Sequence, residues 1–159
     1  MKTQPKIITI DPGVYIGFAL WEASKFKRGT LMYPLKHGHV HHKQHEKTFY
    51  DFKRMINLQQ PILTAYIENS KLMKNSKKGQ VAAESGALVK LSQTIGRITQ
   101  ILVDTGCKVE LIEVAKWKGT LPKEVCERRI RRLLPRIPEK QSNHAIDAIG
   151  IGLFKLGKF

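Results

Sequence analysis

The chain has 159 residues, with 28 Lys and Arg against 13 Asp and Glu and a formal charge of +15 at pH 7. That length can bury a core of its own and reads as one domain over residues 1–159, while two cysteines, Cys107 and Cys126, are too few for a disulfide framework or a zinc ribbon and fit a reducing compartment. No apolar run reaches the ~20 residues of a membrane span, no secretory pattern opens the chain, and the basic excess selects a polyanionic partner, nucleic acid ahead of an anionic membrane surface, in a cytoplasmic setting.

The first elements form a hairpin. Ile7, Ile8 and Ile10, then Tyr15, Ile16, Phe18, Leu20 and Trp21, are two β-favouring arms around Asp11-Pro12-Gly13. Asp11 therefore ends a central strand, where a charge is costly unless something pairs with it; the alternative is a turn aspartate bonding its own backbone. Residues 29–36 read as a third, edge strand that tolerates Pro34. Residues 37–45 carry five of the six histidines, His37, His39, His41, His42 and His45.

Residues 44–58 have helical spacing, with Phe49, Phe52 and Met55 or Ile56 inward, and Pro61 closes that helix. Residues 62–70 are an apolar strand ending in a second carboxylate, Glu68. A basic loop with Lys71, Lys74, Lys77 and Lys78 leads into a long amphipathic helix over residues 81–104, striped by Leu88, Leu91, Ile95, Ile98 and Leu102. Residues 107–112 alternate as a fifth strand. A short helix starts near Thr120, with Val125 or Cys126, Ile130, Leu133 and Leu134 inward. Ser142 N-caps a final helix running to about Leu156. The order β-β-β-α-β-α-β-α-α predicts an α/β domain with a mixed five-stranded sheet, a three-strand antiparallel meander plus two parallel strands flanked by helices.

Three features then align. Asp11 and Glu68 end the first and fourth strands, and His144 and Asp147 share one face of the last helix at i, i+3. If those two strands are parallel neighbours, all four side chains converge. Carboxylates so close repel unless divalent cations bridge them, and oxygen donors with one imidazole suit Mg²⁺ or Mn²⁺. A pair of such ions is a device for in-line phosphodiester cleavage, which matches a basic chain.

The Asp11-Pro-Gly turn, Glu68, the segment Gly86-Ala-Leu-Val-Lys-Leu-Ser-Gln-Thr-Ile-Gly96 and the closing His144/Asp147 helix together resemble the RuvC-type Holliday junction resolvases of the RNase H-like superfamily. The resemblance spans most of the chain. It implies a homodimeric endonuclease that uses two Mg²⁺ or Mn²⁺ ions per site to nick opposing strands of a four-way DNA junction in recombination and repair. Asp11, Glu68, His144 and Asp147 would be both its catalytic residues and its metal ligands. Symmetry has its own reason, since a two-fold junction with two scissile phosphates calls for a two-fold enzyme. The chain departs from the family just after Glu68. Aromatic wedge residues are common there, whereas this chain has only Leu72 and Met73, apolar side chains that can still unstack a base step.

DNA contacts are expected from Lys71, Leu72, Met73, Lys74, Lys77 and Lys78. The second expected surface lies in residues 116–140, where nine Lys and Arg face three Glu; Lys116, Lys118, Arg128, Arg129 and Arg132 belong to it. The alternative for such a run is a solvated face. His37, His39 and His41 would share one face of an extended chain, as a metal site, as phosphate contacts, or as plain surface on a loop or edge strand. Actin-like kinases also open on an Asp-Gly hairpin, but need two such domains to close over ATP, so no nucleotide cofactor is expected. A nuclease for other branched DNA or RNA·DNA hybrids, and a DNA-binding module without catalysis, are the remaining readings.

Overall fold

The computed structural model describes residues 4–41, 44–69 and 85–159. Its elements are β1 (Lys6–Asp11), β2 (Ile16–Glu22), β3 (Lys36–Val40), α1 (His45–Leu58), β4 (Ile62–Asn69), α2 (Ala87–Val103), β5 (Lys108–Glu113), α3 (Val114–Trp117), α4 (Lys123–Leu133) and α5 (Asn143–Lys155), with a 3₁₀ turn at Ala23–Lys25. The five strands form one sheet in the order β3-β2-β1-β4-β5. β1–β2 and β2–β3 are antiparallel, whereas β1–β4 and β4–β5 are parallel. This is the mixed sheet that the element order predicts. Among the described residues, no helix is long and apolar enough to cross a membrane.

The period-2 alternation of the strands sorts the core into two layers. Ile8, Ile10, Ile16, Phe18 and Leu20 point to one face, where they pack with Phe49, Phe52 and Ile56 of α1 and Ile98 and Leu102 of α2. Phe49, Phe52 and Ile56 recur at i, i+3 and i+7, so α1 presents one stripe; each such side chain contributes about 1.5–3 kcal/mol by leaving water. The opposite face carries Ile7, Thr9 and Asp11 of β1 with Ala19 and Trp21 of β2, and receives α4 and α5 through Ile130, Leu134, Ile146, Ile149 and Leu153.

A buried polar link sets the height of α5 on that face. Thr9 Oγ1 donates to Ala148 O at 2.7 Å and accepts from Trp21 Nε1 at 3.0 Å. Both are fully buried, where an unsatisfied polar group would be expensive. Ser142 caps α5, its Oγ accepting from Ala145 N. Gly17 removes the last obstacle: a Cβ there would strike the backbone carbonyl of His144, so the first turn of α5 rests directly on β2.

Three expected boundaries move. Residues 29–35 are turn and irregular chain, and the third strand is instead the histidine segment Lys36–Val40, paired to β2 with His37 opposite Ala19 and His39 opposite Gly17. Leu31 and Leu35 are about half exposed and bury too little to hold a strand there. The long helix begins at Ala87, not at residue 81: Ser85 and Gly86 form a turn, and Gly86 has φ +68°, outside any right-handed helix; residues 81–84 lie outside the described residues. The helix expected from Thr120 starts at Lys123, with Cys126 rather than Val125 on its inner face, and the short α3 precedes it unforeseen.

Candidate active site

β1 and β4 run parallel with Ile10 beside Ile67, so the next residues, Asp11 and Glu68, lie side by side at the carboxyl ends of two adjacent strands. Both fall on the α5 face by strand alternation. Such an end of a sheet is where open α/β folds place their ligands. The first turn of α5 covers it. His144 Nδ1 stands 2.6 Å from Asp11 Oδ2; the ionised carboxylate can only accept, so the imidazole donates. Asp147 acts on both Asp11 and Glu68 electrostatically, so Asp11, Glu68, His144 and Asp147 lie toward the same end of the fold.

Trp117, which the sequence did not single out, and Lys118 complete the arrangement. Trp117 ends α3 and donates its indole N–H to Glu68 Oε2 at 2.9 Å. Lys118, expected as a DNA contact, meets Asp147, its Nζ lying 3.4 and 3.3 Å from the two carboxylate oxygens. The parallel pairing of β5 with β4 brings the residues that follow β5 out beside Glu68, and Trp117 is the first aromatic residue among them.

The electrostatics are those of crowded acids. Burial pushes the Glu68 pKa up from 4.5 to about 7, helped by the neighbouring Asp11 and Asp147 carboxylates and opposed by Trp117 and Lys118. Burial likewise raises Asp11, against the lowering effect of its hydrogen bond to His144; Asp147 adds to the rise. The same hydrogen bond raises the pKa of His144. The four side chains are thus satisfied as separate pairs, Asp11 with His144, Glu68 with Trp117 and Asp147 with Lys118. Among the described residues, no group of three or more His, Cys, Asp or Glu is arranged to hold a metal ion as it stands.

The donor chemistry nonetheless fits a hard divalent cation. It consists of carboxylates with one imidazole, and the raised acids carry an electrostatic cost that such a cation relieves.

Lys116 is exposed on α3. Arg128, Arg129 and Arg132 are exposed on α4, where with Val125 they line a shallow cavity of about 250 Å³. Arg131 is turned aside, bonded to Glu127 and to the carbonyls of Pro138 and Glu139. Lys71, Leu72, Met73, Lys74, Lys77 and Lys78 lie outside the described residues, as does His42. His37, His39 and His41 are extended along an edge strand, or at its end, as one of their readings required, and His39 and His41 meet the ring of Tyr15.

No protein-family model matches the chain, and no curated protein matches it. Solved structures do. A structure of Thermus thermophilus RuvC in complex with Holliday junction substrate has 17% sequence identity and a TM-score of 0.63, covering 94% of this chain and 91% of that one. A second Thermus thermophilus RuvC structure has 15% identity and a TM-score of 0.64, covering 96% of this chain and 97% of that one. The chain has a RuvC-like fold, an RNase H-like mixed sheet flanked by helices.

Proposed function

We propose that this protein is a divalent-metal-dependent endonuclease that resolves four-way DNA junctions by paired nicks, acting as a homodimer in recombination and repair. The observation that carries the reading is the placement of Asp11 and Glu68 at adjacent parallel strand ends beneath the turn that bears His144 and Asp147. The fold likeness to a protein solved on a Holliday junction supports the choice of substrate. So does the charge of +15, which draws a densely anionic junction to the surface.

Asp11, Glu68, His144 and Asp147 would hold Mg²⁺ or Mn²⁺. Two such cations per site would supply activation of the attacking water and stabilisation of the leaving oxygen. The chain's own residues do the rest. Trp117 fixes one oxygen of Glu68, His144 orients Asp11, and Lys118 offsets charge at Asp147. Lys116, Arg128, Arg129 and Arg132 contribute cations that position DNA phosphates without reading sequence. Lys71, Leu72, Met73, Lys74, Lys77 and Lys78, which lie outside the described residues, belong to the proposed DNA contacts as the sequence expects.

The test is a cleavage panel of four-way junction, flap, plain duplex and RNA·DNA hybrid, in Mg²⁺ and in Mn²⁺. Paired nicks confined to the junction are expected. Equal cutting of every substrate would reject junction resolution while leaving a nuclease, and no cutting of any would reject catalysis. Asp11→Asn, Glu68→Gln and Asp147→Asn are each expected to slow cutting about a thousandfold while junction binding persists, since several kcal/mol of transition-state stabilisation depend on the cations. A variant that still cuts at the native rate removes its residue from the mechanism.

A further inference from the structure

Tyr15 follows the turn between β1 and β2 and is 39% exposed. Its ring meets three histidines. His41 stacks on it with centroids 4.0 Å apart and planes 19° apart, and His144 does so at 5.7 Å and 13°. His39 meets it edge-on at 5.4 Å and 69°. These rings come from different parts of the chain: the hairpin, the end of the β3 edge strand, and the first turn of α5. None of them belongs to the hydrophobic core clusters, and His39 and His41 are exposed. The tier is a surface feature that ends on the active site, because His144 is the ring that donates to Asp11.

Folding alone gives little reason to hold flat rings parallel in water at the rim of an acidic site. Binding does. Every nucleobase has a π-face, and aromatic and histidine rings are what proteins offer to bases that have left the helical stack. Tyr15 adjoins the site through His144, whose ring centroid lies 5.7 Å from it and whose Nδ1 lies 2.6 Å from Asp11 Oδ2, so a base flanking a phosphate bound there would be the group to meet it. Among the described residues this corner presents ring faces, His41 already lying on Tyr15, with Lys123 as the cation near His144, so its complement is an unstacked base beside the phosphate.

We propose that Tyr15 and His41 form a base-stacking subsite, taking an unpaired or unstacked nucleobase next to the scissile phosphate. The proposal rests on the nuclease reading above and adds the part of the substrate that the carboxylates do not contact. Tyr15 and His41 would supply stacking for any base, so the subsite favours distorted DNA over intact duplex without dictating sequence.

The experiment places 2-aminopurine at each position flanking the nick of a four-way junction and follows its fluorescence on binding, with Ca²⁺ or the Glu68→Gln variant to prevent cutting. Quenching at one flanking position is expected with the native residues. Tyr15→Ala and His41→Ala should each abolish that quench and weaken binding about fivefold or more, whereas Tyr15→Phe, which keeps the ring, should retain both. His41→Ala is the decisive variant, because it leaves the His144–Asp11 hydrogen bond in place. If Tyr15→Ala lowers turnover with binding and quenching unchanged, and His41→Ala is silent, the tier serves only to hold His144 and the proposal is overturned. A short single strand carrying 2-aminopurine separates the two readings. Quenching there by a protein that cuts no junction sinks the nuclease and keeps the subsite. Junction cutting with no quench at any position does the reverse.

Discussion

The indole N–H of Trp117 and Oε2 of Glu68, 49 positions apart in the chain, are joined by a 2.9 Å hydrogen bond. Trp117 is 2% exposed and packs with Ile112 and Ile151. Gly150 of α5 makes room for it, since a Cβ there would come within 2.5 Å of the indole ring. The donor is therefore aimed by the core, and it opposes the burial and the neighbouring Asp11 charge that push Glu68 up to about 7. A group buried for packing thus also holds a site carboxylate in one orientation and favours its ionised form.

Trp117→Phe keeps most of the packing and deletes that donor. Outer-shell partners of metal ligands typically contribute 10- to 100-fold, so activity should fall by about that factor, mainly in kcat. The acid limb of the pH–rate profile should move to higher pH, because Glu68 loses a group that lowers its pKa. Steady-state rates across pH, with junction binding measured alongside, decide it. A native acid limb would show that the indole serves packing alone.

Much of this site was legible because it is written in local pattern. Asp11 closes one apolar strand, Glu68 stands one residue before the end of another, and Ser142 caps the helix that carries His144 and Asp147. The partners of those residues were not legible, because Trp117 and Lys118 reach them across 49 and 29 positions and only the parallel β4–β5 pairing brings them there. The third strand was misplaced for a related reason. Residues 31–35 have the more strand-like composition, but pairing to β2 settles the edge, and it admits the Gly- and His-rich Lys36–Val40 instead.

Gly17→Ala tests how closely α5 must approach the sheet. The added methyl meets the backbone of His144, which cannot rotate away as a side chain can. A destabilisation of about 1–3 kcal/mol is expected from this overpacking, with loss of cleavage as His144 and Asp147 are lifted from Asp11 and Glu68. Gly38→Ala on the next strand is the control: its nearest neighbour is the Phe18 ring at 3.5 Å, an ordinary contact, so stability should change little. Thermal denaturation of both variants makes the comparison, and equal effects would contradict it.

The acid cluster predicts the sign of a pH effect on stability. Glu68 and Asp11 both have raised pKa values, so between the unfolded and folded values the native state binds more protons, and stability falls as pH rises through that window. His144 is also raised; its contribution is present below its unfolded pKa and is lost as pH climbs through the folded one, which is the same direction. For Glu68 the window runs from 4.5 to about 7. In chelator, the protein should lose stability on the order of 3 kcal/mol across it. Added Mg²⁺ or Mn²⁺ should raise Tm strongly at about pH 8 and weakly at about pH 5, because cations compete with protons for the same carboxylates. Tm values measured with and without metal at both pH values test this, and equal metal increments would exclude these carboxylates as the binding groups.

Basic residues on this chain should divide into two kinds. Arg128, Arg129 and Arg132 are exposed on α4, whereas Lys118 meets both oxygens of Asp147. Each arginine that neutralises a phosphate contributes about 0.9 to the slope of log K against log salt, so Arg→Gln at each should reduce that slope by roughly one and weaken all DNA substrates alike. Lys118→Met should leave the salt slope close to native. It removes a positive charge that lowers the pKa of Asp11 and of Glu68, so its effect should fall on cleavage and on the pH–rate profile. Binding titrations over a salt series, paired with single-turnover cleavage, separate the two. A Lys118 variant that loses salt slope without losing cleavage would return that residue to the DNA surface and leave Asp147 without a charge partner in the mechanism.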